Sequence, residues 1–329
     1  MAKDNPGPGK GRRRGWRVWL RRLGPVVVTG VVLFFILRKY PLTKITGEMA
    51  NGNWLPLIPI ALLASVSTLL LVCCCDFLVI NGFLNRPRYR DVLRGKAGTS
   101  MLQLIGGYGV GQGGYAVWIA RATGATVGQA AGVGLYTAAS DLCALCVVTT
   151  VAIYGVGADV PRALAITAPA IGGVLVFFAL IGPSAFVGEV PAVFQPWRNL
   201  TRKRQLANIA GRCVNISLGV VLTWWATQAF GLNIPFAVMA SYLPIIILVG
   251  AMPVNIGGFG PVQAMWLVFE PWASGPAILA FEFLWKLGLG AGLVVRGLPF
   301  IRQCIAEIEL GPKNPARLAA EAEPSPGLD

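Results

Sequence analysis

The stretch that decides the fold covers residues 253–263, between two strongly apolar segments, and reads PVNIGGFGPVQ. It holds three glycines and two prolines, which cost about 1 and about 3 kcal/mol each, relative to alanine, inside a helix. Backbone groups freed by such a break are tolerated in a membrane only where protein or an aqueous cavity receives them. The stretch is therefore either a tight loop between two spans or a broken, re-entrant helix that lines a cavity.

A second copy of this pattern lies earlier in the chain. Residues 105–112 read IGGYGVGQ and residues 256–263 read IGGFGPVQ. The isoleucine, the two adjacent glycines, the aromatic residue, the third glycine and the glutamine fall at the same offsets in both copies. Paired glycine- or proline-interrupted segments in two halves of a membrane chain indicate a transporter binding site. We therefore interpret the two segments as the active centre.

The overall composition indicates a membrane protein. Of the 329 residues, 55% are hydrophobic and only 13% are charged, whereas soluble domains carry about 25% charged residues. Mean hydropathy is +0.64, and apolar stretches long enough to cross a bilayer core of about 30 Å recur along the chain. We expect an all-α polytopic membrane protein with seven to eight transmembrane helices. In this fold the two glycine-rich segments form a pseudo-repeat of broken or re-entrant helices.

Basic residues cluster at three places that each adjoin an apolar stretch. Eight Lys and Arg lie in residues 1–22, five in residues 86–96 and four in residues 198–204. Such clusters mark cytoplasmic loops and contact anionic lipid headgroups, so they do not indicate nucleic-acid binding. We expect a protein of a bacterial-type cytoplasmic (inner) membrane whose N-terminus is cytoplasmic.

The order of apolar and polar segments predicts the domains and the topology. Residues 1–22 form a basic cytoplasmic tail, residues 23–301 the integral-membrane helical domain and residues 302–329 a polar, disordered C-terminal tail. Residues 38–53 are expected to be an outer loop and residues 81–96 an inner loop. The spans are expected at residues 18–37, 54–80, 127–156, 163–182, 206–232, 235–252 and 274–301, with an interfacial segment at 183–204.

The charge rule also bears on the first glycine-rich segment, residues 97–121. If this segment dips into the membrane and returns, the basic residues 198–204 reach the inside, as their charge requires. If it crosses, they lie outside, so re-entrance is favoured. Four predicted spans then separate the two motifs, which predicts that both enter from the same side as a parallel repeat. The side of the C-terminus stays open.

Ionisable residues within predicted spans are candidates for function, because such a side chain at the bilayer centre costs at least about 2.5 kcal/mol. Asp141 lies in mid-helix and has no charged partner nearby in sequence. Glu282 and Lys286 stand at i,i+4 and can pair on one helix face; structural pairing and substrate contact explain them equally well. Arg212 enters its span near the inner end.

Further candidates lie at segment ends and in the glycine motifs. Arg121 closes the first glycine-rich segment and is placed to meet an anionic headgroup of the inner leaflet. Asp76 and Arg296 are expected to reach the membrane interface by snorkelling. In the motifs, the glutamines and the asparagine are expected to bind a headgroup as neutral hydrogen-bonding groups. The motif candidates are Gly106, Gly107, Gln112, Asn255, Gly257, Gly258, Gly260 and Gln263.

The sequence carries no recognisable constellation for catalysis, a metal or a cofactor. The absence of histidine excludes His-based general-base catalysis, and there is no nucleotide-binding P-loop and no acidic cluster to hold magnesium. Cys143 and Cys146 lack a second ligand pair and a polar setting, and free cysteine commonly behaves as a small buried apolar residue. We therefore expect no enzyme activity, no metal and no cofactor.

The late motif extends to MPVNIGGFG over residues 252–260, and Asp141 provides a charged position in the helix after the first motif. With these features the chain resembles, over about residues 20–301, the transmembrane (flippase) domain of lysylphosphatidylglycerol synthases and their stand-alone relatives. In that family an Arg-Glu pair usually follows the late motif, where this chain has Val262 and Gln263. The resemblance implies an inner-membrane translocase of a phospholipid or lipid-linked headgroup. It also implies no aminoacylation, because no synthase domain is expected after residue 301.

Two functions of different classes remain in view. The first is a lipid flippase or transporter whose glycine loops form a midplane cavity for an anionic phospholipid, since the N–H groups of broken helices favour phosphate. Asp141 or the Glu282–Lys286 pair would supply fixed charge. The second is a non-transporting membrane subunit that partners a separate glycosyl- or aminoacyl-transferase through its basic tail. An enzyme acting on polyprenyl lipids is disfavoured by the missing histidine and acidic cluster.

Overall fold

The computed structural model describes residues 26–84, 87–157, 160–180, 191–251 and 260–309. Every regular element in these ranges is a helix. The helices are α1 (Val26–Lys39), α2 (Leu42–Asn51), α3 (Leu57–Phe83), α4 (Tyr89–Thr123), α5 (Val127–Gly155), α6 (Arg162–Leu180), α7 (Gln195–Asn199), α8 (Arg202–Phe230), α9 (Phe236–Ala251), α10 (Pro261–Trp266) and α11 (Gly275–Glu309). Two 3-10 turns, Ala192–Phe194 and Leu267–Phe269, precede α7 and follow α10.

The structure confirms a helical, multi-pass class of fold. Within the described ranges, α3, α5, α8 and α11 are each long and apolar enough to cross a membrane, and α1 with α2, bent by 76°, can make a fifth span. The predicted span at residues 235–252 corresponds to α9, which has only 16 residues. That is about 24 Å of helix, shorter than a bilayer core of about 30 Å. The count of seven to eight spans stays a prediction.

The polar connections differ from the sequence-based prediction more than the apolar helices do. Residues 38–53, predicted as a loop, contain α2. Residues 81–96, predicted as an inner loop, include the first two turns of α4. Helix α11 continues to Glu309, so residues 302–309 are not a disordered tail; polar side chains are compatible with a helix once it leaves the apolar layer. Residues 310–329 lie outside the described ranges.

Helices α3 and α11 run parallel and very close to each other. A Cβ atom on Gly288 would lie 2.9 Å from the Cβ of Ala61, and one on Gly292 would lie 2.6 Å from the Cβ of Ser65. The residue numbers of the contacting pairs increase together along the two helices, so the helices are parallel. Small residues at such a contact let two membrane helices approach closely.

Helix α8 runs antiparallel to α3, and this sets the two faces of the protein. Gly52, just before α3, lies against the ring of Phe230 at the end of α8, whereas Gly82, near the end of α3, lies against Arg204 at the start of α8. The end of α3, the starts of α4 and α8 and the end of α11 therefore share one face, which we call the basic face. Its exposed cations include Arg88, Arg90, Arg94, Arg202, Lys203 and Arg302.

The first glycine motif lies where α4 folds back on itself. A Cβ atom on Gly95 would lie 2.6 Å from Cε3 of Trp118, and one on Gly111 would lie 2.6 Å from the Cβ of Gln103. In a straight helix, residues 95 and 118 would be about 35 Å apart. The chain therefore reverses between Gln103 and Gly111, and we call the result the first hairpin. Both of its ends lie at the basic face.

Gly95 is a sensitive position in this hairpin. In Gly95→Ala the new methyl group would overlap the buried indole of Trp118, and we expect a loss of about 1–3 kcal/mol of unfolding free energy from overpacking. Thermal unfolding in mild detergent measures the effect. Gly113→Ala is the matched control, because it lies in the other arm with open space around it. If both variants unfold at the same temperature, the close contact of the arms is wrong.

The second motif also joins two antiparallel arms. A Cβ atom on Gly250 would lie 3.6 Å from a methyl group of Val262, and the rings of Tyr242 and Phe269 are 6.2 Å apart. The chain thus runs in opposite directions before Gly250 and after Val262; residues 252–259 lie outside the described ranges. We call α9 and α10 the second hairpin. Gly260, at the start of α10, has a φ of +104°, in the region that favours glycine. A Cβ atom there would also lie 2.9 Å from the Cα of Thr29. Only glycine therefore fits this position without strain.

The two hairpins open at opposite faces. The second hairpin begins just after Phe230 and ends just before Gly275, and both residues lie at the face opposite the basic one. The prediction that both motifs enter from the same side is therefore wrong. The predicted count of four spans between the motifs includes residues 235–252, whereas in the structure these residues form α9, the first arm of the second hairpin.

A polar contact at this opposite face joins the bend after α1 to the turn before α11. The hydroxyl of Tyr40 donates a hydrogen bond to Glu270, and Nζ of Lys39 lies 3.2 Å from both carboxylate oxygens. The Tyr40 hydrogen bond, assisted by Lys39, lowers the pKa of Glu270 below the ordinary value of a glutamate, although partial burial acts in the opposite direction.

This contact predicts a pH dependence with a defined sign. Because the pKa of Glu270 is lower in the folded state, its contribution to stability is present above the unfolded-state pKa and is lost as the pH falls through the folded-state value. We expect the wild type to unfold at a higher temperature than Glu270→Gln at neutral pH, and this difference to shrink as the pH is lowered toward about 3. An equal difference at both pH values would show that the Glu270 carboxylate is not stabilised in this way.

Candidate functional site

Arg212 is the centre of a buried ionic cluster. Its side chain, on α8, is only 1% exposed. Its Nη2 lies 2.7 Å from Oδ1 of Asp76 on α3, and its Nη1 donates to Oδ1 of Asp141 on α5. One turn earlier on α8, Oδ1 of Asn208 accepts from Nε at 3.2 Å. The guanidinium thus joins three helices through charge-assisted hydrogen bonds, the stronger kind in proteins.

Asp76 receives a second cation from the first hairpin. Nζ of Lys96 lies 3.0 Å from Oδ2 of Asp76 and 4.2 Å from the ring centre of Tyr115 on the opposite arm. The expectation that Asp76 snorkels to the interface is wrong, because the residue is fully buried. Arg212 on α8 and Lys96 on α4 compensate its negative charge within the protein.

The two carboxylates of this cluster differ in access. We call Asp76, Lys96, Asp141 and Arg212 the charge cluster; its formal charges balance. The side chain of Asp76 is 1% exposed and has two cations, whereas that of Asp141 is 40% exposed and has one. Asp141 is therefore the more accessible of the two carboxylates.

A second ionic group lies beside the second hairpin. Glu282, which is 1% exposed, pairs with Lys286 one turn further along α11, as the i,i+4 spacing predicts. Nε2 of Gln263 lies 3.2 and 3.1 Å from the two carboxylate oxygens of Glu282, and Oε1 of Gln263 accepts from the backbone N–H of Gly260. The amide of Gln263 is therefore bonded to protein groups rather than directed at a headgroup.

The other motif residues fall into three groups. Gln112 lines a small cavity of about 10 Å³ together with Lys96, Gln103 and Tyr115. That volume suits at most one water molecule, so no headgroup fits there as the structure stands. Gly106 and Gly107 belong to α4 and lie in sequence between Gln103 and Gly111. The candidates Asn255, Gly257 and Gly258 lie outside the described residues.

Two arginines lie apart from the charge cluster. Arg121 lines a larger pocket at the basic face, formed by α4 and α11. Arg296 is half-buried on α11, and its Nη1 donates to the backbone oxygen of Ser65. The expectation that Arg296 snorkels is wrong, because the close approach of α3 places an acceptor within reach of its guanidinium.

Sequence reasoning missed Lys96 and misplaced Asp76. The sequence-based prediction includes Lys96 in the basic inner loop, whereas the structure places it in α4, the helix that carries the first motif. Asp76 interrupts a long apolar run between Cys75 and Phe77, and that setting was the signal that could have identified it as a buried charge. In the described part of the chain, no three His, Cys, Asp or Glu side chains come together to bind a metal.

No protein family and no curated protein matches this chain. The resemblance to the transmembrane domain of lysylphosphatidylglycerol synthases therefore rests on the short motifs alone and stays a prediction.

Proposed function

We propose that this protein moves phospholipid headgroups between the two leaflets of a bacterial-type cytoplasmic membrane. The observation that carries the proposal is the charge cluster, which lies inside an apolar helical bundle. Asp76 is seven residues from the end of α3, or about 10 Å below the basic face. Ionisable residues at such a depth mark substrate or ion pathways by default.

The unequal exposure of the two carboxylates suggests how a lipid phosphate binds. Among the described residues, Asp76 is fixed by Arg212 and Lys96, whereas Asp141 pairs with Arg212 alone and is more exposed. A phosphate that replaces the Asp141 carboxylate on Arg212 leaves the buried guanidinium paired throughout. This exchange avoids the cost of a buried, unpaired charge, and it selects for a ligand with an anionic group.

The two hairpins support a transporter built from an inverted repeat. They open at opposite faces, and each contains one of the matching glycine motifs. The motif glutamine of each lies beside an ionic pair: Gln112 lines a cavity with Lys96, and Gln263 binds Glu282, the partner of Lys286. Inverted repeats with discontinuous helices that meet near the bilayer midplane are a recurring design of secondary transporters. We interpret both hairpins as re-entrant.

The positions of the two ionic groups suggest a path with two stations. Lys96 is seven residues from the start of α4 at the basic face, and Glu282 is seven residues from the start of α11 at the opposite face. Each is therefore about 10 Å from its own face. A headgroup that leaves the charge cluster would next meet the Glu282–Lys286 pair, so that neither half of the path lacks a cation.

The basic face is proposed to be cytoplasmic. Its exposed arginines and lysines are the pattern that the positive-inside rule requires. Helix α11 ends at this face, whereas α1 runs toward the opposite face, where Lys39 contacts Glu270; the proposal has the chain before α1 begin at the basic face. Both termini of the membrane domain would then be cytoplasmic.

Reconstitution tests the proposal. Purified protein in liposomes is expected to exchange labelled phosphatidylglycerol between leaflets faster than protein-free liposomes do. The lysyl form of this lipid and a polyprenyl phosphate, assayed in parallel, define the substrate. Folded protein that exchanges none of the three would overturn the proposal.

A further inference from the structure

A pocket at the basic face carries charges that neither the charge cluster nor the proposed path uses. Its volume is about 380 Å³, within the range of small-molecule sites. The two arms of the first hairpin and the last turns of α11 form its walls. The residues that matter here are Asp91, Arg94, Trp118, Arg121 and Glu307.

Three charged side chains of this pocket, two carboxylates and one guanidinium, do not pair with one another. Among the residues that the structure describes, Asp91, Arg94 and Glu307 form no ion pair. All three line the same cavity with Arg121. The pocket therefore offers the guanidinium of Arg94 to an anion and two carboxylates to a cation within one ligand-sized space, with Arg121 adding positive charge to the same wall.

We propose that this pocket binds the headgroup of a zwitterionic phospholipid, with its phosphate at Arg94 and Arg121 and its ammonium group at Asp91 and Glu307. This inference goes beyond the proposed transport, because binding here does not require the lipid to cross the membrane. A purely anionic headgroup would be attracted by the arginines and repelled by the carboxylates, so it is the weaker ligand. The bound lipid would tie both arms of the first hairpin to α11.

A lipid fits the pocket better than a soluble zwitterion does. The pocket lies at the face where the membrane surface is expected, and Leu298 and Ile305 on the adjoining part of α11 are exposed apolar side chains. These side chains can contact acyl chains while the headgroup occupies the pocket. A soluble headgroup lacks that apolar contact and should bind more weakly.

Native mass spectrometry of the purified full chain measures the binding. The probes are dihexanoyl phosphatidylethanolamine, dihexanoyl phosphatidylglycerol and glycerophosphoethanolamine, which lacks acyl chains. We expect the wild type to bind the ethanolamine lipid about fivefold more tightly than the glycerol lipid, as one additional surface charge pair allows. Arg94→Gln should weaken both lipids, whereas Glu307→Gln should abolish the preference.

Control variants are available on α11, outside the pocket. Arg302→Gln and Glu309→Gln remove exposed charges of the same kinds and should leave both affinities unchanged. Equal binding of the two lipids by the wild type, or equal effects of pocket and control variants, would overturn the proposal; equal binding of glycerophosphoethanolamine would overturn the lipid assignment. Leaflet exchange is assayed separately, so a binding preference without exchange refutes the proposed transport and leaves the pocket standing.

Discussion

Replacing Arg212 with glutamine is expected to lower the free energy of unfolding by about 3–5 kcal/mol, the usual cost of removing one partner of a buried ion pair. Asp76 would keep only Lys96, and Asp141 would lose the cation that holds it. The guanidinium also joins α3, α5 and α8, so its loss loosens the packing of three helices. Thermal and chemical unfolding in mild detergent, monitored by circular dichroism, measure the change.

Three variants separate this effect from a general loss of charge. Lys203→Gln removes an exposed cation from the first turn of α8 and should change the free energy of unfolding by less than about 0.5 kcal/mol. Arg212→Lys keeps the charge but cannot bond Asp76 and Asp141 with a planar guanidinium. Its loss of unfolding free energy should lie between those of Lys203→Gln and Arg212→Gln. Adding Asp141→Asn to Arg212→Gln leaves the Asp76–Lys96 pair balanced and should restore part of the stability. If Arg212→Gln is as stable as Lys203→Gln, the cluster is not a structural centre.

Neutralising Asp141 is expected to slow lipid exchange about tenfold or more while leaving the protein folded. In Asp141→Asn no carboxylate competes with the lipid phosphate for Arg212, so the phosphate should bind more tightly and leave more slowly. A charge-assisted hydrogen bond contributes about 1.5–3 kcal/mol, and 1.4 kcal/mol corresponds to a factor of ten. Exchange kinetics in liposomes and lipid affinity in detergent test the two halves of this expectation.

Replacing Asp76 with asparagine should affect the stability of the protein rather than the rate of lipid exchange. Asp76 is buried between two cations, so Asp76→Asn is expected to lower the unfolding temperature rather than to give a folded protein with slow exchange. Asp141→Glu should retain most of the exchange rate, because it restores a carboxylate at the exposed side of the cluster. Wild-type exchange by a well-folded Asp141→Asn protein would remove Asp141 from the mechanism.

The sequence predicts local features of this fold well. Hydropathy identifies α3, α5, α8 and α11 because each must present an apolar surface over its full length. The glycine motifs mark the places where the chain reverses, because glycine and proline disfavour a continuous helix. The pairing of Glu282 with Lys286 follows from their spacing on one helix.

Contacts between distant parts of the chain are the features that the sequence does not determine by itself. Arg212 meets Asp76 and Asp141 only because α3, α5 and α8 pack together. The local sequence pattern around each residue, an isolated charge in an apolar run, indicates burial or function but does not identify the partner. For the same reason the sequence predicts that Gln263 contacts a headgroup, whereas in the fold its amide binds the carboxylate of Glu282.

Leaflet exchange by the reconstituted protein is the most direct test of the central claim. Liposomes with wild-type protein, Asp141→Asn or the exposed-charge variant Arg302→Gln are compared for exchange of labelled phosphatidylglycerol. The proposal predicts rapid exchange by the wild type and Arg302→Gln, and slow exchange by Asp141→Asn at equal amounts of folded protein. Exchange no faster than in protein-free liposomes, from wild-type protein shown to be folded, would contradict it.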